Sequence, residues 1–254
     1  MEVVATERWP GYRAGVASTG VHETQEPEEF LFAQALVGSR QNVSPKRLVE
    51  PGPSATQLEA LLGMAAAAPD HGLLTPWRFV LIPADQRHRL AEVFALALVD
   101  RDPGATIEQI ESAREKAHRA PLLLVAIAGL GPREPDTPAL ERMVSMGAAI
   151  QNLLLGAHAM GYGAGLTSGQ AMSSPRLGAM LGLAEGEVPV CCINIGTVTK
   201  RKTSLRSRPS PAAILSELAD AGLGQAATSA DSPVSVRSRS GAMPTGGCGT
   251  QGTT

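Results

Sequence analysis

Between Pro27 and about Leu218, apolar residues recur at helical spacing in some stretches and form short unbroken runs in others, and their order outlines a fold. The first helical pattern opens at Pro27, a residue suited to a first turn, followed by Glu28 and Glu29 where the helix dipole favours acids; it is expected to reach about Val37 and to end at Gly38. A second helix follows Ser54, whose hydroxyl serves as a cap, and sets Leu58, Leu61, Leu62 and Ala65 on one face before Pro69 stops it. Trp77 to Ile82 is an apolar run of strand length. Helices are then expected near 85–99 and 106–118, a strand over 121–130, a long helix over 140–160, a Gly-rich turn at 161–169, a short helix after Ser174 and a last strand over 188–198.

Helices cluster between the strands, with too few strand-helix-strand units for a doubly wound sheet, so the pattern predicts a layered α+β domain. No repeat at a solenoid period is evident. Residues 1–26 lack a sustained pattern, and from Gln225 onward the chain is rich in Ser, Thr, Gly and Pro. One domain over 27–218 is therefore expected, with a disordered N-terminal extension over 1–26 and a disordered tail over 219–254.

Charge narrows the partners. The chain has 22 Lys and Arg against 24 Asp and Glu, so no long-range field attracts nucleic acid or an anionic membrane. The most apolar long run, Met143 to Met160, contains Ser145, Gln151, Asn152 and His158 and reaches only the short end of the ~17–25 residues that a membrane span needs, so a buried helix is expected there. Cys191 and Cys192 are adjacent and Cys248 lies in the polar tail, a pattern that matches neither a disulfide framework nor a zinc site and fits a reducing cytoplasm. The opening "MEVVATERWPGYRAG" carries Glu2 and Glu7 and lacks the apolar run of a secretory signal.

Three segments carry candidate chemistry. In "SRQNVSPKR", Ser39 to Arg47, the planar donor fork of Arg40 and the neutral donors of Asn42 and Ser44 suit a phosphate or a ring carbonyl, although a solvated turn has the same composition. In "GYGAGLTSG", Gly161 to Gly169, the glycines follow a helix rather than a strand, which excludes a dinucleotide fingerprint. Close backbone approach to a flat ligand and a purely structural helix exit both remain open there. In "APDHGLLTPW", Ala68 to Trp77, His71 sits in a loop beside Asp70, which is placed to raise its pKa and fix its tautomer. Trp77 and the two adjacent cysteines read as core, with Cys191 and Cys192 on opposite faces of their strand. No hydrolase, kinase or zinc motif is found, and no metal is expected.

Taken in order, Arg-x-Asn-x-Ser-Pro-Lys-Arg-Leu, Ala-Pro-Asp-His with Pro-Trp-Arg-Phe, Gly-Tyr-Gly-x-Gly-Leu-x-Ser-Gly and Ile-Gly-Thr resemble the nitroreductase family, over roughly residues 28 to 210. The similarity is greatest to its short NAD(P)H nitroreductases that bind FMN. The resemblance implies a central, mainly antiparallel sheet flanked by helices, in an interlocked homodimer with FMN at the subunit interface and long helices buried between the chains; the small-residue helix 143–160 suits that role. By the same resemblance Arg40, Gln41 and Asn42 hold the ribityl phosphate and pyrimidine edge, His71 contacts the flavin of the partner subunit, and Leu166, Thr167 and Ser168 form a third flavin segment. Gly156, Ala157, His158, Ala159, Met160 and Gly161 match a stretch assigned to NAD(P) in close relatives, which a helix end packed at the interface would also resemble.

The chain departs from the pattern at four positions. Gln41 and Asn42 replace a basic residue and a hydroxyl, Ala67 stands in place of a flavin-contacting arginine, and Thr75 in place of a glutamine; Lys46, Arg47 and the cluster Lys200, Arg201 and Lys202 are placed to compensate. The implied activity is ping-pong: NAD(P)H passes hydride to flavin N5, and a small oxidised acceptor, a nitroaromatic or a quinone, then takes it, a nitro group going to nitroso and hydroxylamine. His71 is expected to shape the pocket rather than to donate a proton. Alternatives are another flavin reaction on this fold (dehydrogenation, reductive dehalogenation or flavin breakdown) and a non-catalytic flavin-binding protein.

Overall fold

The computed structural model describes residues 26–132, 136–200 and 207–218. The expected extension before Glu26 and the expected tail over 219–254, with Cys248, lie outside the described residues. The chain divides into two units, Gly15–Ser207 and a second comprising Met1–Ala14 and Arg208–Thr254. In the second unit the described segment carries one 3-10 turn, Pro211–Ala213.

The larger unit contains six helices and five strands among its described residues: α1 Glu28–Ser39, β1 Leu48–Val49, α2 Ala55–Ala66, β2 Trp77–Leu81, α3 Arg87–Arg101, α4 Ile107–Glu115, β3 Leu122–Gly129, α5 Ala139–Ala159, β4 Gly163–Thr167, α6 Pro175–Leu181 and β5 Glu187–Val198. The sheet order is β1-β5-β3-β2, with β4 also paired to β5, and every strand pair is antiparallel. One register shift falls where Ala126 faces Cys191 and Ile127 faces Pro189. A proline, which cannot donate to the ladder, is tolerated at such a bulge.

The central strand β3 explains the layering. Its period-two alternation sends Leu122, Leu124, Ala126 and Ala128 into a core shared with α2 and α5, and Leu123, Val125 and Ile127 into a second core shared with α3, α4 and α6. Cys191 and Cys192 divide between the same two cores, and Trp77 lies in the first, as the sequence pattern predicts. Helix α2 starts with a complete capping box, Ser54 and Gln57 satisfying each other's backbone N–H groups. Arg87 is buried, and among the described residues no carboxylate pairs with it; its guanidinium donates to the carbonyls of Ile82, Ala117, Ala120 and Pro121, which pins the α4–β3 connection to the start of α3.

Three expectations are corrected. Helix α1 continues through Gly38, which keeps ordinary helical backbone, and the chain leaves it only at Arg40 (φ −63°, ψ 130°). The expected Gly-rich turn at 161–169 has a strand, β4, at its centre. Its glycines serve close packing: a Cβ on Gly165 would stand 2.1 Å from the Val43 carbonyl oxygen, and one on Gly163 would stand 2.3 Å from Val198 Cγ2. Leu62, expected on the buried face of α2, is exposed, whereas Leu61 and Ala65 are buried.

Candidate functional site

The end of α1, the 3-10 turn Pro45–Arg47, the end of α5 and the end of β5 converge on a cavity of ≈ 80 Å³. Arg40, Arg47 and Lys200 bring three cations to it from three separate segments, and among the described residues no carboxylate lines it. Ser39, Gln41, His158 and Tyr162 add polar groups. Since a bound water needs about 10–15 Å³ of such space, the cavity has room for a compact anion. Arg47 Nη1 donates to the Lys200 carbonyl at 3.0 Å, which ties the turn to the end of β5. Ser39 Oγ and His158 Nε2 lie 2.8 Å apart and tie the end of α1 to α5.

Asn42 plays a different part from its neighbours. Its side-chain oxygen accepts a hydrogen bond from Leu166 N–H at 3.3 Å, and Val43 N–H donates to the Ala164 carbonyl, so the segment is laid along β4. The absence of side chains at Gly163 and Gly165 is what allows this approach. Asn42 and Leu166 are thus brought together, beside the Arg40 cavity but outside its lining.

Thr167 and Ser168 open on a second cavity, of ≈ 270 Å³, which among the described residues shares no lining residue with the first. The cause is strand alternation: Thr167 pairs with Cys192, on the α3 side of the sheet, while Leu166 pairs with Ile193, on the α5 side. Asn194, fully buried, donates its amide to Thr167 Oγ1 (3.0 Å) and to the Gly165 carbonyl (3.3 Å) and fixes the end of β4.

His71 lies in neither cavity. It sits exposed in a turn where Gly72, Leu73 and Thr75 all have positive φ, and its Nδ1 is 2.6 Å from Glu141 Oε2 in the first turn of α5. The expected partner, Asp70, is otherwise engaged: its carboxylate accepts the Thr75 N–H and braces the turn. Of the stretch matched to NAD(P), Gly156 and Ala157 are buried, and a Cβ on Gly156 would meet Met64 Sδ at 2.5 Å, so Gly156 serves α2–α5 packing. His158 lines the Arg40 cavity, while Ala159, Met160 and Gly161 are exposed at the helix end.

Ser39 and Tyr162 around the first cavity, and Lys116, Arg119 and Asn194 around the second, carry no signal in the sequence that separates them from solvated or core residues. Arg47 and Lys200 do, as members of basic runs; Arg201 and Lys202 lie outside the described residues. The two adjacent thiols are shielded from reaction. Burial pushes Cys191 up to about 11 and Cys192 up to about 12.

The family model described as Nitroreductase family matches residues 44–197, more than half of the chain. The chain belongs to the nitroreductase family. As a member of it, the chain is an oxidoreductase. A Haemophilus influenzae relative named "Putative NAD(P)H nitroreductase" is 33% identical over 154 residues, covering 61% of this chain and 83% of the relative. An Escherichia coli K12 relative of the same name, YdjA, is 29% identical over 71% of this chain and 96% of its own length. Among solved structures, a nitroreductase-like family protein from Bacillus cereus superposes with a TM-score of 0.62 at 20% identity, covering 74% of this chain and 95% of its own. An FMN and NADPH-dependent nitroreductase from a sphigopyxis strain superposes with a TM-score of 0.59 at 16% identity, over 74% and 99%. These two likenesses establish the nitroreductase-like fold. Among the described residues no helix is long and apolar enough to cross a membrane.

Proposed function

We propose that this nitroreductase-family protein is an FMN-dependent NAD(P)H oxidoreductase that works as a homodimer and reduces nitroaromatic or quinone-like acceptors. The observation that carries the reading is the convergence of Arg40, Arg47 and Lys200 on one small cavity that no carboxylate among the described residues lines. This donor set fits the phosphate of FMN: Arg forks match phosphate oxygens and a lysine adds a point charge. FMN, when bound, supplies the capacity to accept hydride from NAD(P)H and pass it on.

The protein's own contribution is placement. Arg40, Arg47 and Lys200 hold the phosphate, and the glycines of β4 keep the Asn42 segment tight against it. Leu166, beside the Asn42 segment, and Thr167 and Ser168, which open on the second cavity, meet the rest of the cofactor from the two faces of the open end of β4. His71, held by Glu141, reaches across the interface to shape the partner's pocket. Reduction of a nitro group to nitroso takes one hydride, which comes from NAD(P)H, and one proton from solvent, and releases one water.

The homodimer is supported by helix α1, which buries none of its residues in its own chain while exposing Phe30, Leu31, Phe32 and Val37. Leu140 (81% exposed) and Val144 (72%) form a similar apolar step on the free side of α5. The free, buried thiols fit a reducing cytoplasm.

The reading is tested by steady-state kinetics on FMN-reconstituted protein with NADH or NADPH and a nitroarene. Parallel double-reciprocal lines are expected. Tight FMN binding with no NAD(P)H oxidation in the presence of any nitroarene or quinone would leave a flavin-binding protein and overturn the catalytic reading.

A further inference from the structure

Helix α1 is weakly anchored for the part it plays. It is 12 residues long, buries none of them, and starts at Pro27 without a side-chain cap. A helix of that length is marginal in water unless something packs on it or holds its ends. Its C-terminal end is the end that is held: Ser39 Oγ lies 2.8 Å from His158 Nε2 on α5. Ser39, Arg40 and Gln41 also line the first cavity, with Arg47 and Lys200 across from them. The segment that ends the apolar α1 arm is therefore also a wall of the phosphate cavity. Arg47 and Lys200 belong to segments already tied together, through Arg47 Nη1 on the Lys200 carbonyl and Thr199 N–H on the Arg47 carbonyl. Like charges repel, and an anion between them draws them in, so its pull acts between that fixed pair and Arg40.

We propose that a phosphate group in the Arg40 cavity locks α1 against α5, so that phosphate binding and the pairing of two chains through α1 favour each other. The inference rests on the homodimer of the proposed reading, and the occupant of the apolar face of α1 is a second copy of this chain. Arg40 senses the anion, and Ser39, held by His158, is the positioning residue that passes its effect to the helix. The coupling is reciprocal: whatever factor the anion adds to pairing, pairing adds to anion affinity. It acts within one chain, through the end of a helix, and does not require the flavin ring to touch both subunits.

The test uses the full chain without flavin and inorganic phosphate as the probe, against chloride at equal ionic strength. Sedimentation equilibrium is expected to show phosphate tightening the dimer about fivefold or more. Ser39→Ala, at an exposed residue, should bring that ratio close to one, whatever it does to phosphate affinity itself. The general salting effect of phosphate on apolar contacts is the same in both proteins and cancels. In Phe32→Glu, which removes the partner, hydrogen exchange across Glu28–Ser39 should still slow when phosphate is added, because the latch lies within one chain. Equal dimer constants in phosphate and chloride, a phosphate effect that Ser39→Ala leaves undiminished, or α1 exchange in Phe32→Glu that ignores phosphate overturns the proposal. So does a dimer that riboflavin tightens and phosphate does not, since the ring then makes the link. A Phe32→Glu protein that stays dimeric gives a different result: it removes α1 from the interface and overturns that part of the homodimer reading, and this proposal with it.

Discussion

At the scale of single residues, Arg40 carries the largest expected effect. Charge-assisted hydrogen bonds contribute about 1.5–3 kcal/mol, so Arg40→Ala should weaken FMN binding about ten- to a hundredfold in a flavin-fluorescence titration. Unchanged affinity would remove Arg40 from the phosphate site. For His71 the decisive contact is Glu141, four helical turns and more from the cavity end of α5. If Nδ1–H donates to that carboxylate, nitrogen NMR should show a single Nδ1–H tautomer at neutral imidazole, and Glu141→Gln should mix the tautomers and alter acceptor kinetics with FMN affinity unchanged. The thiols give a third expectation. With Cys248→Ser in the background, neither Cys191 nor Cys192 should react with a thiol reagent at pH 8 until the protein is unfolded. Their ionisation also opposes the fold in alkali: the folded values are raised above the usual 9.0, so the native state holds protons that the unfolded chain has lost, and stability falls as pH climbs from 9.0 toward about 11 and 12. Which face each cysteine takes is legible in the sequence, because strand period alone decides it. Lys116 and Arg119 are not legible, because a cation facing a cavity and one facing bulk water look alike on a charged helix.

At the scale of elements, β4 holds the account together. Its glycines read as a turn because glycine's local preference is for turns, whereas their role depends on Val43 and Val198, distant in sequence. Gly165→Ala places a methyl on the Val43 carbonyl and must push the Asn42 segment outward. A loss of about 1–3 kcal/mol in denaturant unfolding is expected, together with weaker FMN binding. Ser54→Ala, at a residue that lines neither cavity, should cost about 1 kcal/mol through the lost cap and leave FMN binding unchanged. The pair separates a packing effect on the site from a loss of stability alone. Most element boundaries are legible to within a few residues, since the alternation of β3 and the caps of α2 are local signals. The far end of α1 is not, because its glycine remains helical and the chain exits at Arg40.

At the scale of the whole molecule, the antiparallel sheet between two helical layers follows from the order of elements, and the family match agrees with it. A single chain leaves α1 with an apolar surface and no core of its own. Light scattering is expected to give the mass of two chains, and Phe32→Glu should shift it toward one. The central claim is that the Arg40 cavity holds FMN for reduction by NAD(P)H, and the most direct measurement is the visible spectrum of FMN-reconstituted protein, freed of unbound flavin, before and after anaerobic NADPH or NADH. The account predicts an oxidised-flavin spectrum that bleaches on addition of the nucleotide and returns when a nitroarene is added. A colourless protein after reconstitution, or a bound flavin that neither nucleotide bleaches, would contradict it.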